Sequence, residues 1–99
     1  MRRMNDLDFL DDARAEYESA AAWYAKQSVA AANRFATEVE TAIDSIQKNP
    51  DQHPRWDDRY RYYLLRKFPY VVAYRREADH VVIVAVRHTS QDSAAWTER

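Results

Sequence analysis

Tyr62-Tyr63-Leu64-Leu65-Arg66-Lys67-Phe68-Pro69-Tyr70-Val71-Val72-Ala73-Tyr74-Arg75, followed shortly by Val81-Val82-Ile83-Val84-Ala85-Val86-Arg87-His88, is the stretch on which the fold turns. Residues 60–65, 70–74 and 81–86 are rich in aromatic and β-branched side chains and short enough to be strands. Pro69 separates the first two, and Glu77-Ala78-Asp79-His80 separates the last two. Connections that short require antiparallel neighbours. Residues 81–86 are apolar at every position, which describes two situations. Either the strand is central and covered on both faces, or it is covered on one face and has the other open to a partner.

Upstream the period changes. Leu7-Asp8-Phe9-Leu10 alternates weakly and reads as a first strand, and Asp11 and Asp12 mark a helix start by capping free N–H groups and by facing the positive end of the helix dipole. Ala13, Tyr17, Ala20, Ala21 and Tyr24 then recur at three- and four-residue steps, one apolar stripe of a helix. Ser28 interrupts the pattern as the next N-cap. Ala32, Phe35, Val39, Ala42, Ile43 and Ile46 form a cleaner stripe that ends near Asn49, because Pro50 disfavours helical backbone in the residue before it. Two helices with so short a break form an antiparallel hairpin. Residues 51–58 read as a loop, and residues 91–99 as a tail with a final helical turn ending around Trp96. The expected fold is α+β: an N-terminal strand, an α-helical hairpin, then a three-stranded antiparallel meander completing one sheet, and a short C-terminal helix or tail. All of it, residues 1–99, is expected to be one domain. The chain has no glycine, so its turns are expected to use Asn, Asp or right-handed types.

Hydrophobic residues make up 46% of the chain, enough for a core and too many for disorder, while the 31% charged residues keep the outside wet. Net charge is −1, but residues 1–50 carry −3 and residues 51–99 carry +2. Between Arg59 and Arg76 there are six cations and no acid, a field that favours an anionic partner. The absence of cysteine removes disulfides, thiolate catalysis and thiolate metal sites. The opening Met1-Arg2-Arg3-Met4-Asn5-Asp6 turns acidic before any apolar run, so no signal peptide is expected. No stretch approaches the about 20 apolar residues of a membrane span. A cytoplasmic protein without cofactor or metal is the expectation.

The order of elements and several particular stretches resemble the RelE/ParE superfamily of type II toxins, in its ParE-like, plasmid-stabilisation branch. The stretches are Ala13-Arg14-Ala15-Glu16-Tyr17 with residues 20–24, then Ala32, Arg34, Phe35 and residues 43–50, and above all YYLLRKFPYVVAYR (62–75) and VVIVAVRH (81–88). The resemblance covers nearly the whole chain. It implies a growth-inhibiting toxin bound by a cognate antitoxin encoded by the adjacent gene, and a target that is either DNA gyrase or mRNA on the ribosome. It implies no membrane role and no direct sequence-specific DNA binding. The mRNA-cleaving members carry an arginine after the aromatic that opens the third strand, then another basic residue and a tyrosine or histidine-tyrosine near the C-terminus. Here Val71 and Trp96 stand in those places, so the resemblance leans away from an enzyme and toward occupation of a protein target.

Two sets of residues are candidates for function. Arg61, Arg66, Lys67, Arg75 and Arg87 are candidate contacts to a partner, on the expectation that the paired strands bring Arg61, Arg66, Arg75 and Arg87 together to bind an acidic segment. The plainer reading is an amphipathic strand pair with alternating tyrosines and arginines. Trp23 and Trp96 are candidate interface anchors, or else residues that seal a core edge. The rival reading is a ribosome-dependent nuclease using Arg66, Lys67, Arg75, Arg87 and His88 as phosphate clamps and proton-transfer groups. A third is a non-toxic binding module that keeps the fold. His53, His80 and His88 have no spacing that would gather a metal.

Overall fold

The computed structural model describes residues 6–99, so residues 1–5, on which the expectation of no signal peptide partly rests, lie outside the described residues. The chain runs β1 (Asp6–Phe9), α1 (Asp11–Gln27), α2 (Val29–Lys48), β2 (Tyr60–Leu64), β3 (Tyr70–Arg76), β4 (His80–His88) and a single 3-10 turn, Ser93–Ala95. The four strands form one sheet in the order β1-β4-β3-β2. β2, β3 and β4 are the antiparallel meander, and β1 lies parallel on the far side of β4. Among the described residues no helix is long and apolar enough to cross a membrane.

β4 is therefore central, and of the two situations open to residues 81–86 the first holds: all six are buried. Val81, Ile83 and Val86 pack under the helices with Ala13, Phe35, Val39, Ala42, Ile46, Val72 and Tyr74. Val82, Val84 and Ala85 face the other way, with Tyr60, Ala73 and Trp96. The step from Ile83 to Val86 would break the alternation of a regular strand. It is absorbed by a bulge, where Ala85 pairs with Ala73 but Ile83 pairs with Tyr74 and Val84 is the extra residue. The cover on the second face is the chain's own tail. Burying one such side chain contributes about 1.5–3 kcal/mol, against about 0–1 kcal/mol for an exposed ion pair, so this strand outweighs the surface charges.

The helix hairpin follows the two stripes. Ser28 ends α1 and caps α2, its hydroxyl accepting from the Ala31 N–H at 2.9 Å. Asp11 and Asp12 do not cap α1 as expected. Leu10 occupies the cap position, and both carboxylates lie in the first turn, where they still complement the helix dipole. The Phe35 ring is surrounded by Tyr17, Tyr24, Phe68 and Tyr70 at centroid distances of 5.1–5.9 Å, joining hairpin to sheet. Glycine-free turns are made without any positive φ among the described residues. The loop after α2 is tied down by Asp57, which accepts from the Arg59 and Tyr60 N–H groups, and by the Tyr74 hydroxyl, which donates to the Pro50 carbonyl. The same loop covers the outer edge of β2, where Tyr62 N–H donates to Pro54 and Trp56 N–H donates to Tyr60.

Trp96→Ala empties the centre of the second face and should destabilise the protein by about 3–5 kcal/mol, read from urea unfolding at unchanged slope. Stability should also fall at alkaline pH. Burial pushes the Tyr74 phenol far above its ordinary value, with Arg61 pulling it back weakly, so its contribution is intact below about pH 10. It is lost as pH rises past that point, because the unfolded chain then releases the proton while the fold retains it. Urea unfolding at about pH 8 and 10.5 should show a smaller drop for Tyr74→Phe than for the parent chain.

Candidate partner-binding groove

One turn of α1 after another brings Ala15, Glu16, Ser19, Ala20, Trp23 and Tyr24 to a common side, as their three- and four-residue spacing requires. Facing them are Pro69 and Tyr70 at the start of β3, and Val86, His88 and Gln91 at the end of β4. Together they enclose an open groove of about 710 Å³. Ala15, Ser19 and Ala20 are small, and this is what makes the depression. Trp23 is 56% exposed and stands at one end against the edge of the Tyr24 ring, 5.0 Å away. Tyr24 in turn packs edge-on against Phe68 and Tyr70. Burial pushes both the Tyr24 and Tyr70 phenols up, so neither supplies a tyrosinate near neutral pH.

At the other end Glu16 receives four hydrogen bonds. Its carboxylate accepts from the Val86 N–H at 3.1 Å, from Arg87 Nη1 at 2.9 Å and, through both oxygens, from Arg99 Nη1 at 3.1 and 3.2 Å. Arg99 Nη1 also donates to the Val84 carbonyl at 2.9 Å, and its backbone oxygen accepts from Tyr60 and Arg75. The three charged side chains are each less than one-fifth exposed. One acid thus joins α1, the β4 edge and the tail.

Residues 7–93 match the family described as the ParE toxin of the type II toxin–antitoxin system parDE. The chain belongs to the ParE toxin family. A solved structure described as the chromosomal ParDE toxin–antitoxin system from P. aeruginosa superposes with a TM-score of 0.72, covering 86% of this chain and 96% of that one. Sequence identity is 16%, so this likeness speaks for a shared fold. No curated protein matches the sequence.

In this family member the arginines singled out in the sequence are not brought together. Arg61 pairs across from Tyr74 and Arg75 across from Tyr60, which puts their side chains on opposite faces of the sheet. Arg61 donates to the His53 carbonyl, Arg75 is held by Glu77 and the Arg99 carbonyl, and Arg87 is engaged by Glu16. Arg66 and Lys67 lie in the β2–β3 connection, where Glu38 accepts from both backbone N–H groups. With Arg34 they border a separate cleft of about 340 Å³. The expected cluster of guanidiniums fails because alternation puts Arg61 and Arg75 on opposite faces, while Arg75 and Arg87, which share a face, lie four β3 positions apart and are each held by an acid.

Trp96 is corrected as well. It is 2% exposed and packs on Tyr60 and Trp56, so it seals a core and presents no surface to a partner. Trp23 does present one. His88 packs against the Tyr70 ring, its Nδ1 facing the Ser90 N–H at 3.1 Å and Ser90 Oγ at 2.8 Å. His53 contacts Ser45, while His80 bridges Asp8 and Asp79. Sequence reasoning missed Glu16 and Trp56. Glu16 carries no signal of its own beyond lying one helical turn before Ala20, since its partners are 70 to 83 residues away.

The two ends of the groove should respond differently to mutation. Trp23→Ala should change folding stability by less than about 0.5 kcal/mol, as for an exposed side chain, whereas Glu16→Ala should destabilise by about 2–3 kcal/mol by leaving Arg87 and Arg99 without their acceptor. Urea unfolding of the two variants beside the parent chain checks this.

Proposed function

We propose that this chain is the toxin of a type II pair that acts in the cytoplasm by occupying a protein target, and that a cognate antitoxin encoded by the adjacent gene neutralises it. The observation that carries the reading is the ParE family match over residues 7–93. The groove supports it as a binding surface. Its walls are aromatic and small apolar side chains, and an exposed tryptophan at the mouth is the residue type most often found among interface anchors. DNA gyrase is the target we favour, by the family resemblance. Catalysis is disfavoured on chemical grounds: cleavage of RNA through its 2′-hydroxyl needs a base and an acid poised on either side of a phosphate. The surroundings of His88 supply a hydroxyl, an amide and a phenol kept neutral by burial.

Expression of the chain alone should arrest growth, with loss of negative supercoiling preceding any loss of mRNA. Purified ribosomes with the protein should show no codon-dependent mRNA cuts. Reproducible cutting that disappears in His88→Ala would replace this reading with the nuclease one.

A further inference from the structure

We infer that the cleft between α2 and the β2–β3 connection, bordered by Arg34, Arg66 and Lys67, is a contact for the phosphate backbone of duplex DNA. The choice of DNA over RNA rests on the reading of the chain as a toxin whose target is DNA gyrase, whereas the case for a phosphate backbone rests on the cleft itself. Its volume is about 340 Å³, and it is lined by Asn33, Arg34, Thr37, Glu38, Arg66 and Lys67. Asn33 and Thr37 are four residues apart on α2, as are Arg34 and Glu38, so the helix forms its wall with two neighbouring rows one turn long. The connection after β2 supplies Arg66 and Lys67.

The one acid in the cleft does not pair with its cations. Glu38 Oε1 accepts from the Arg66 N–H at 2.8 Å and from the Lys67 N–H at 3.2 Å, so the carboxylate fixes the backbone of the connection while both cationic side chains stay out of any ion pair among the described residues. Arg34 Nε donates to the Ala30 carbonyl at 3.4 Å, one turn back, and no acid holds its guanidinium among those residues. All three cations are exposed. At the opposite end of the sheet the pattern is different: Arg75 is held by Glu77, Arg76 by Asp51 and His80 by Asp8 and Asp79. Three cations against one acid leave the cleft positive on a chain whose net charge is −1, so the excess is local.

An acidic protein surface and a nucleic-acid backbone both complement such a charge, and the lining separates them. Protein interfaces centre on aromatic or aliphatic anchors in a desolvated pocket and are depleted in lysine. All six residues here are polar or charged, and the aromatic groove beside α1 has none of them in its walls. A phosphate backbone needs only cations and hydrogen-bond donors, which Arg34, Arg66, Lys67, Asn33 and Thr37 supply. A single strand would bind in part by stacking its bases on aromatic rings. No ring lines the cleft, so the duplex, with its denser phosphates, is the better fit. Contacts of this kind position a protein on DNA without reading its sequence.

Binding of the purified chain to a short labelled duplex, followed by fluorescence anisotropy across a salt series, tests the assignment. The parent chain should bind without sequence preference, with a Kd of about 100 μM at physiological salt that tightens about 40-fold on fourfold dilution of the salt, a log–log slope of about −2.7 for three phosphates. Arg34→Ala, Arg66→Ala and Lys67→Ala should each reduce that slope by about one, and the triple variant should lose the binding. These side chains are exposed, so the urea midpoint of each variant should stay with the parent's. Arg55→Ala with Arg59→Ala, in the acid-containing loop 51–58 and just after it, should leave the slope unchanged. A triple variant that binds like the parent, or a parent chain that does not bind at low salt, overturns the site. Tighter binding of the matching single strand, or of a poly-glutamate peptide, overturns duplex DNA as its occupant. A failed titration in a chain that arrests growth with loss of supercoiling sinks the cleft alone, and a successful one in a chain that cuts mRNA sinks the gyrase reading alone.

Discussion

Six consecutive apolar residues in β4, 81–86, have to be buried on both faces of one strand, and most of the architecture is the way this chain meets that demand. The helix hairpin covers one face. On the other face Tyr60 and Leu10 are joined by the tail, which folds back and packs Trp96 with Val82, Val84 and Ala85. β1 and β3 then flank the strand, supplying the main-chain partners that a buried strand must have. The bulge at Val84 reconciles two requirements, letting Val86 rejoin the helix-side core while Val84 and Ala85 stay under the tail.

That bulge also has an electrostatic consequence. By turning the peptide groups of Val84 and Val86 outward past the end of β1, it creates an edge that needs a donor and an acceptor, and the Arg99–Glu16 pair provides both. An ion pair of this kind is not there for its Coulomb attraction alone, since partial burial of charge carries a desolvation penalty that attraction roughly offsets. Its contribution is connectivity: the tail that covers the second face is fastened to α1 and to the strand it covers. The groove lies beside this junction, so its floor and the fastening of the tail share Glu16.

What the groove of this chain offers a partner is set by its side chains. The groove of this chain is lined by neutral tyrosines, small apolar residues and a tryptophan, while Arg61, Arg75 and Arg87 are engaged by a backbone carbonyl or an acid. Such a surface favours association through shape and apolar contact over stabilisation of a phosphate. Arg66 and Lys67, beside Arg34, lie at a different place on the molecule.

Much of the fold was legible in the chain because its signals are local. Strand character follows from runs of β-branched and aromatic residues, the hairpin from two stripes of three- and four-residue period, the break between helices from a serine able to cap the next one, and the end of α2 from Pro50. Each of these depends on neighbours within a turn or two. What tertiary structure alone decided depends on groups far apart in sequence: that the second face of β4 is closed by the tail, that Trp96 is interior while Trp23 is exposed, and that Arg61 and Arg75 point to opposite faces. A row of arginines reads as a patch in composition, which records how many there are and not their direction; direction alternates along each strand, and the β2–β3 register puts Arg61 and Arg75 on opposite faces.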